Sequence, residues 1–190
     1  MKTITNNIKL LGSLFYQKQP IEKTIKIVDA LVAEDVLNTR TLDQLKSLSA
    51  EQFDHYFGVL FEGVGSMPVP PWGSVYLDKE KVLFGESNVQ YRLFLQQNGV
   101  VLNSGQREPE DQFGLMLLAC AYFIEQDNSQ AACELLGEHL MPWGSVYLEQ
   151  LQQKAPNSFY QHLGNDVLLW LQQLIKQLGI QVTKKNIYLK

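Results

Sequence analysis

Residues 113–124 read Phe-Gly-Leu-Met-Leu-Leu-Ala-Cys-Ala-Tyr-Phe-Ile, apolar at almost every position. A helix that is apolar all round must be buried all round. The run is too short to be a membrane span, which needs about 20 apolar residues. Pro109 stands just ahead of it, at a place where a first helical position loses nothing by the missing N–H. Residues 109–125 are therefore expected to form the central helix of a bundle.

The flanking sequence supplies helices to surround it. Ile8, Leu11, Leu14 and Phe15 recur at helical spacing within 4–17, and Ile21, Ile25, Val28, Leu31, Val32 and Val36 repeat the pattern over 21–37. Thr41 can cap a short helix through Leu48. Ser49 with Gln52 three residues on matches a capping box, and the helix it opens carries Phe53, Tyr56, Phe57 and Leu60 before Gly63. Further helices are expected over 86–98, 130–140, 145–153 and 156–178, with Pro142 breaking or kinking the chain and Gly179 ending the last. Outside the tail from Ile180, which is basic at Lys184 and Lys185, no period-2 alternation appears. The expected class is all-α: one domain over 1–190, a bundle of eight or nine helices.

Residues 63–75 hold Gly63, Gly65, Pro68, Pro70, Pro71 and Gly73, so a semi-rigid extended loop is expected at about 63–77. Its end, Pro71-Trp72-Gly73-Ser74-Val75-Tyr76-Leu77, recurs identically as Pro142-Trp143-Gly144-Ser145-Val146-Tyr147-Leu148. Chance convergence on a loop-to-helix junction, two structurally equivalent anchors and duplication are all open. Equivalent anchors are the preferred reading.

Composition excludes several classes of function. The chain carries a net charge of −4, and from Glu108 to Gln153 it has eight acids and no Lys or Arg. Nucleic acid would demand a basic face instead. The acidic stretch is either a solvated surface or a field that attracts a cationic partner. Two cysteines, Cys120 and Cys133, make neither a disulfide framework nor a zinc pattern, and buried thiols in a reducing compartment are expected. His55, His139 and His162 lie far apart, and no phosphate loop, dinucleotide loop or metalloprotease motif is present. The acids at Glu108, Glu110 and Asp111 fit the first turn of a helix as readily as an acid/base pair. The N-terminus lacks a signal-peptide core and cleavage site, so a cytoplasmic location is expected.

Four stretches, in order, resemble the TorD/DmsD family of twin-arginine (Tat) redox-enzyme maturation chaperones, and most closely its DmsD-like branch. They are Leu10-Leu11-Gly12-Ser13-Leu14-Phe15-Tyr16, Pro70 to Asp78, Glu108-Pro109-Glu110-Asp111-Gln112-Phe113-Gly114, and Glu138-His139-Leu140-Met141-Pro142-Trp143. Two positions depart from the family pattern. Gln112 replaces a histidine and can donate and accept hydrogen bonds but cannot become cationic, and Leu11 stands where an aromatic residue is common.

The resemblance implies an all-helical, non-enzymatic chaperone without a cofactor. It would bind the twin-arginine signal peptide of a molybdopterin-containing, dimethyl-sulfoxide-reductase-like oxidoreductase and delay Tat export until maturation. The expected partners are that peptide and precursor and components of the Tat translocase. Such a peptide has a basic head and an apolar stretch, so its binder needs an apolar groove with acids at one end. The expected peptide-binding residues are Trp72, Tyr76, Leu77, Phe84, Glu108, Asp111, Gln112, His139 and Trp143. Within that set, Trp72 and Tyr76 would meet the apolar stretch and Asp111 an arginine. The alternatives are an assembly scaffold for the mature reductase and a nucleotide-binding or hydrolysing enzyme.

Overall fold

The computed structural model describes residues 2–101 and 108–189. Their helices are α1 (Lys2–Tyr16), α2 (Ile21–Ala33), α3 (Thr39–Lys46), α4 (Ala50–Phe61), α5 (Gly73–Leu77), α6 (Glu86–Gln97), α7 (Phe113–Glu125), α8 (Ser129–Glu134), α9 (Met141–Lys154) and α10 (Ser158–Leu178). A π-helical segment, Leu135–Leu140, joins α8 to α9 without a break, so the described residues form nine separate rods. The all-α expectation holds.

Helix α7 lies against α1 at a close crossing. A Cβ on Gly12 would fall 2.9 Å from the Gly114 carbonyl oxygen, and one on Gly114 would fall 2.6 Å from that of Gly12. The two glycines thus bring two of the family-like stretches into backbone contact. Phe15, fully buried, sits at this junction with ring contacts to Phe113, Phe61 and Tyr147. The long α10 pairs with α9 and receives α3. That last joint is polar: buried Asp166 accepts hydrogen bonds from the Asn38 N–H, the Asn38 amide and the Thr41 hydroxyl at 2.6–2.8 Å. Together with the Asn165 amide at 3.2 Å, these donors satisfy a carboxylate that would otherwise be costly to bury. The Ser49/Gln52 capping box forms in full, and Gly179 ends α10 at φ 64°.

Several boundaries differ from the sequence expectation. Helix α7 starts at Phe113 rather than Pro109, because a turn leads residues 111–113 to pair with residues 71–73 ahead of α5. Trp72 and Gln112 form an antiparallel bridge, with Phe113 N–H donating to Pro71 O at 2.8 Å and Gly73 N–H to Asp111 O at 3.0 Å. The Gln112 side chain then caps α7 by accepting from Leu115 N–H. Nor is α7 buried all round, since Tyr122 is 45% exposed. Helix α2 stops at Ala33, and Val36 and Leu37 fold back into the core past Asp35 at φ 55°.

Within the Pro/Gly-rich loop, residues 73–77 are helical rather than extended. Pro142 does not break its helix. Met141 N–H reaches back to Leu136 O in the π ladder, and Pro142 stands in the opening turn of α9, where no donor is needed. Cys120 is buried and Cys133 half-buried, both as free thiols. Residues 180–189 continue from α10 as an extended strap with no strand partner among the described residues.

Candidate functional site

The bridge between Trp72 and Gln112 fixes the site. Trp72 is extended at φ −118°, which turns its indole away from α5, and Nε1 donates to Glu108 Oε1 at 2.7 Å. The neighbouring acids have other duties. Glu110 receives a two-pronged contact from Arg92 at 2.8 and 2.9 Å. Although burial acts to raise the Glu110 carboxyl, Arg92 holds it below its ordinary value. Asp111 accepts from Ser74 N–H at 2.5 Å and from the Asn88 amide at 3.1 Å, which ties α5 and α6 to the start of α7. Burial pushes the Asp111 carboxyl up to about 6.

Glu108 therefore has a different position from the other two acids. It is half-buried, burial raises its pKa, and among the described residues it meets no cation. With Trp72 it forms one wall of an open groove of about 860 Å³, whose other walls include Tyr16, the buried Phe57 and Phe61, Lys23, and Glu62 paired with Lys18 at 3.4 Å. Gln112 lies at its base, 2% exposed, with its amide donating to Phe15 O at 2.7 Å. The amide uses its donor and its acceptor, the two functions expected to remain without a histidine. The groove combines aromatic area, an indole and desolvated carboxylate character, which suits a side chain that is both cationic and apolar.

The structure gathers Trp72, Glu108, Asp111 and Gln112 and separates the others by layer. Tyr76 and Trp143 are fully buried and stack on each other at 5.4 Å. Burial corrects the expectation that Tyr76 faces a partner and that Asp111, 3% exposed, meets an arginine. Both hold α5 in place instead. Leu77 is half-buried at the end of α5. Phe84 is 42% exposed and makes no ring contact among the described residues. His139 lies on the π segment against Phe94 at 4.6 Å, where burial, aided by Lys185, pushes its imidazole down to about 4. The sequence reading missed Phe57, Phe61 and Glu62. Their signal was the end of the capped helix and the Gly63 behind it, which aim that end at the loop. Among the described residues no cluster of His, Cys, Asp and Glu could hold a metal ion, and no helix is long and apolar enough to cross a membrane.

The described residues thus form a helical bundle with an open groove walled by an indole and a half-buried acid, and comparison with known proteins identifies the family. Residues 26–143 match the family model described as nitrate reductase delta subunit. The chain is 37% identical over 189 residues to the Tat proofreading chaperone DmsD of Salmonella typhimurium, covering 95% of this chain and 93% of that one. It is 28% identical over 163 residues to the chaperone protein YcdY of Escherichia coli, covering 80% and 83%. A crystal structure described as a redox enzyme maturation protein of Archaeoglobus fulgidus shares the fold, with a TM-score of 0.64 and 15% identity over 88% of this chain and 93% of that chain. The chain belongs to the nitrate reductase delta subunit family and, within it, to the DmsD-like redox-enzyme maturation chaperones. It is a chaperone rather than an enzyme.

Proposed function

We propose that the groove beside Trp72 takes the twin-arginine signal peptide of a molybdopterin-containing, dimethyl-sulfoxide-reductase-like oxidoreductase. The chaperone would act in the cytoplasm and release the precursor to the Tat translocase once the client is mature. The carrying observation is the Trp72–Glu108 pair on the groove wall. Glu108 is half-buried without a cation among the described residues, so an incoming guanidinium gains a charge-assisted hydrogen bond at a carboxylate that has already lost part of its water. Trp72 offers a cation–π face, and the half-buried Tyr16 on the same groove offers area for the apolar stretch. Leu77 and Phe84 are candidates for the rim. Tyr76, Asp111, Gln112, His139 and Trp143 support the reading as residues that position the wall.

Calorimetric titration with a synthetic twin-arginine signal peptide tests this, against a peptide with both arginines replaced by glutamine, at low and high salt. Binding should be micromolar or tighter, about tenfold weaker without the arginines, and weaker in salt. Glu108→Gln should reproduce the loss on the protein side. Binding indifferent to the arginines and to Glu108 would sink the reading.

A further inference from the structure

The start of α1 borders a second concavity, at the end of that helix away from the groove. Ile4 and Ile8 of α1, Ile124 of α7, Leu136 of the π segment and Leu174 and Leu178 of α10 line a cavity of about 140 Å³. At a helical rise of about 1.5 Å per residue, Tyr16 lies roughly 12–18 Å further along α1, so cavity and groove are separate.

The side chains of α8 explain why the space stays open. Ser129, Ala132 and Cys133 line it from that helix, at spacings of three and four residues that share one face. All three are small where a Leu or Ile would close the gap. Ile8, Ala132, Leu136 and Leu174 are buried and form the floor, whereas Ser129 is exposed and Leu178 is 51% exposed at the mouth. Lys9 and Glu125, the residues after Ile8 and Ile124, pair at 2.9 Å and join α1 to the end of α7 beside the cavity.

The lining selects the chemistry of an occupant. Among the described residues it has no charged side chain, and its polar groups are the Thr5 and Ser129 hydroxyls and the Cys133 thiol. An ion would lose its hydration there without compensation. Size narrows the choice further. An apolar cavity of about 150 Å³ stays dry and takes up benzene or xenon, so this one holds a single six-membered ring and no peptide segment. The thiol wall suits such a ring, since a free Cys behaves as a small apolar group and divalent sulfur makes favourable contacts with aromatic rings.

We propose that the cavity between α1, α8 and α10 is a binding site for one small, neutral, apolar molecule, of which benzene is the simplest example. The proposal does not rest on the signal-peptide reading, and it places the ligand outside the groove.

The test adds benzene to the full chain. Its thermal midpoint should rise saturably with benzene, as for any ligand of the folded state alone. At ten times its Kd benzene leaves about a tenth of the sites free, so a thiol reagent should label Cys133 about tenfold more slowly. Cys120 is fully buried, so the labelling reads Cys133. Benzoate, the same ring with a charge, should do neither. Cys133→Leu adds bulk to the wall and should abolish the thermal shift. Leu178→Gln, at the exposed mouth, should fold as wild type does and weaken benzene severalfold, which keeps the test open if Cys133→Leu fails to fold. A synthetic twin-arginine peptide should bind the benzene-saturated chain as it binds the free chain. Benzene that neither shifts the midpoint nor protects Cys133 overturns the proposal. So does a shift of the same size with benzoate or in both variants, and so does benzene that displaces the peptide, which would put the ring in the groove.

Discussion

The chain contains one seven-residue sequence twice, in two environments. In 71–77 the tryptophan lies on a groove wall and its indole donates to the Glu108 carboxylate. In 142–148 the tryptophan is fully buried and its indole donates to His139 O, inside its own helix. Both tyrosines of the pair, Tyr76 and Tyr147, are fully buried. The difference comes from the residues in front. Pro70 and Pro71 hold the first copy extended until Gly73, so Trp72 stays outside the helix. The second copy is preceded by helical residues 129–141, so Trp143 is wound inward with the ladder. The copies also touch: Tyr76 stacks on Trp143, and a Cβ on Gly73 would fall 2.8 Å from Trp143 Nε1. Identical sequence therefore gives a half-buried groove wall in one place and its buried support in the other.

The largest effect expected from breaking this asymmetry is at the tryptophans. Trp143→Ala should cost about 3–5 kcal/mol in urea denaturation, the usual range for emptying a buried aromatic site. Trp72→Ala should cost about 1 kcal/mol or less in the same experiment, with its effect appearing in peptide affinity instead. Equal costs would mean that the two copies are energetically alike.

The next effect is a pH dependence that only the first copy has, through Asp111. Burial raises its carboxyl from 3.8 to about 6, so the folded chain holds this proton more tightly than the unfolded chain does. The sign follows from linkage: the contribution is full below 3.8 and is lost as pH rises through about 6. Stability measured across that window should carry a downward component of about 3 kcal/mol, which Asp111→Asn removes. An unchanged profile in that variant would refute the assignment.

The smallest effect is at the two glycines. Gly73→Ala forces a methyl group onto the rigid Trp143 indole and should cost about 1–2 kcal/mol. Gly144→Ala meets Phe113 at 3.2 Å within a helix that favours alanine, and its thermal shift should stay within about 1 kcal/mol of wild type.

Much of this architecture was legible in residue spacing. Apolar periodicity located the helices, Ser49 and Gln52 marked a start, and Gly179 marked an end. The π segment was not legible, because Pro142 reads as a break unless one knows that Met141 N–H has moved to Leu136 O. The roles of the acids were not legible either. Asp111 and Glu108 are three residues apart in one motif, and which of them is buried depends on Ser74 and Asn88, donors from distant elements. Sequence pointed to the segment that carries the site, and tertiary pairing decided which carboxylate faces outward.

The Gly12–Gly114 crossing has a consequence for synthesis on the ribosome. Helix α1 emerges first, yet its partner is about a hundred residues behind it, a delay of roughly 5–20 s at ordinary elongation rates. Until then Tyr16 has no Glu108 opposite it, so the proposed groove does not yet exist on the nascent chain. A chaperone that holds its client at this groove, as proposed, acquires that ability only after more than half of it has been made.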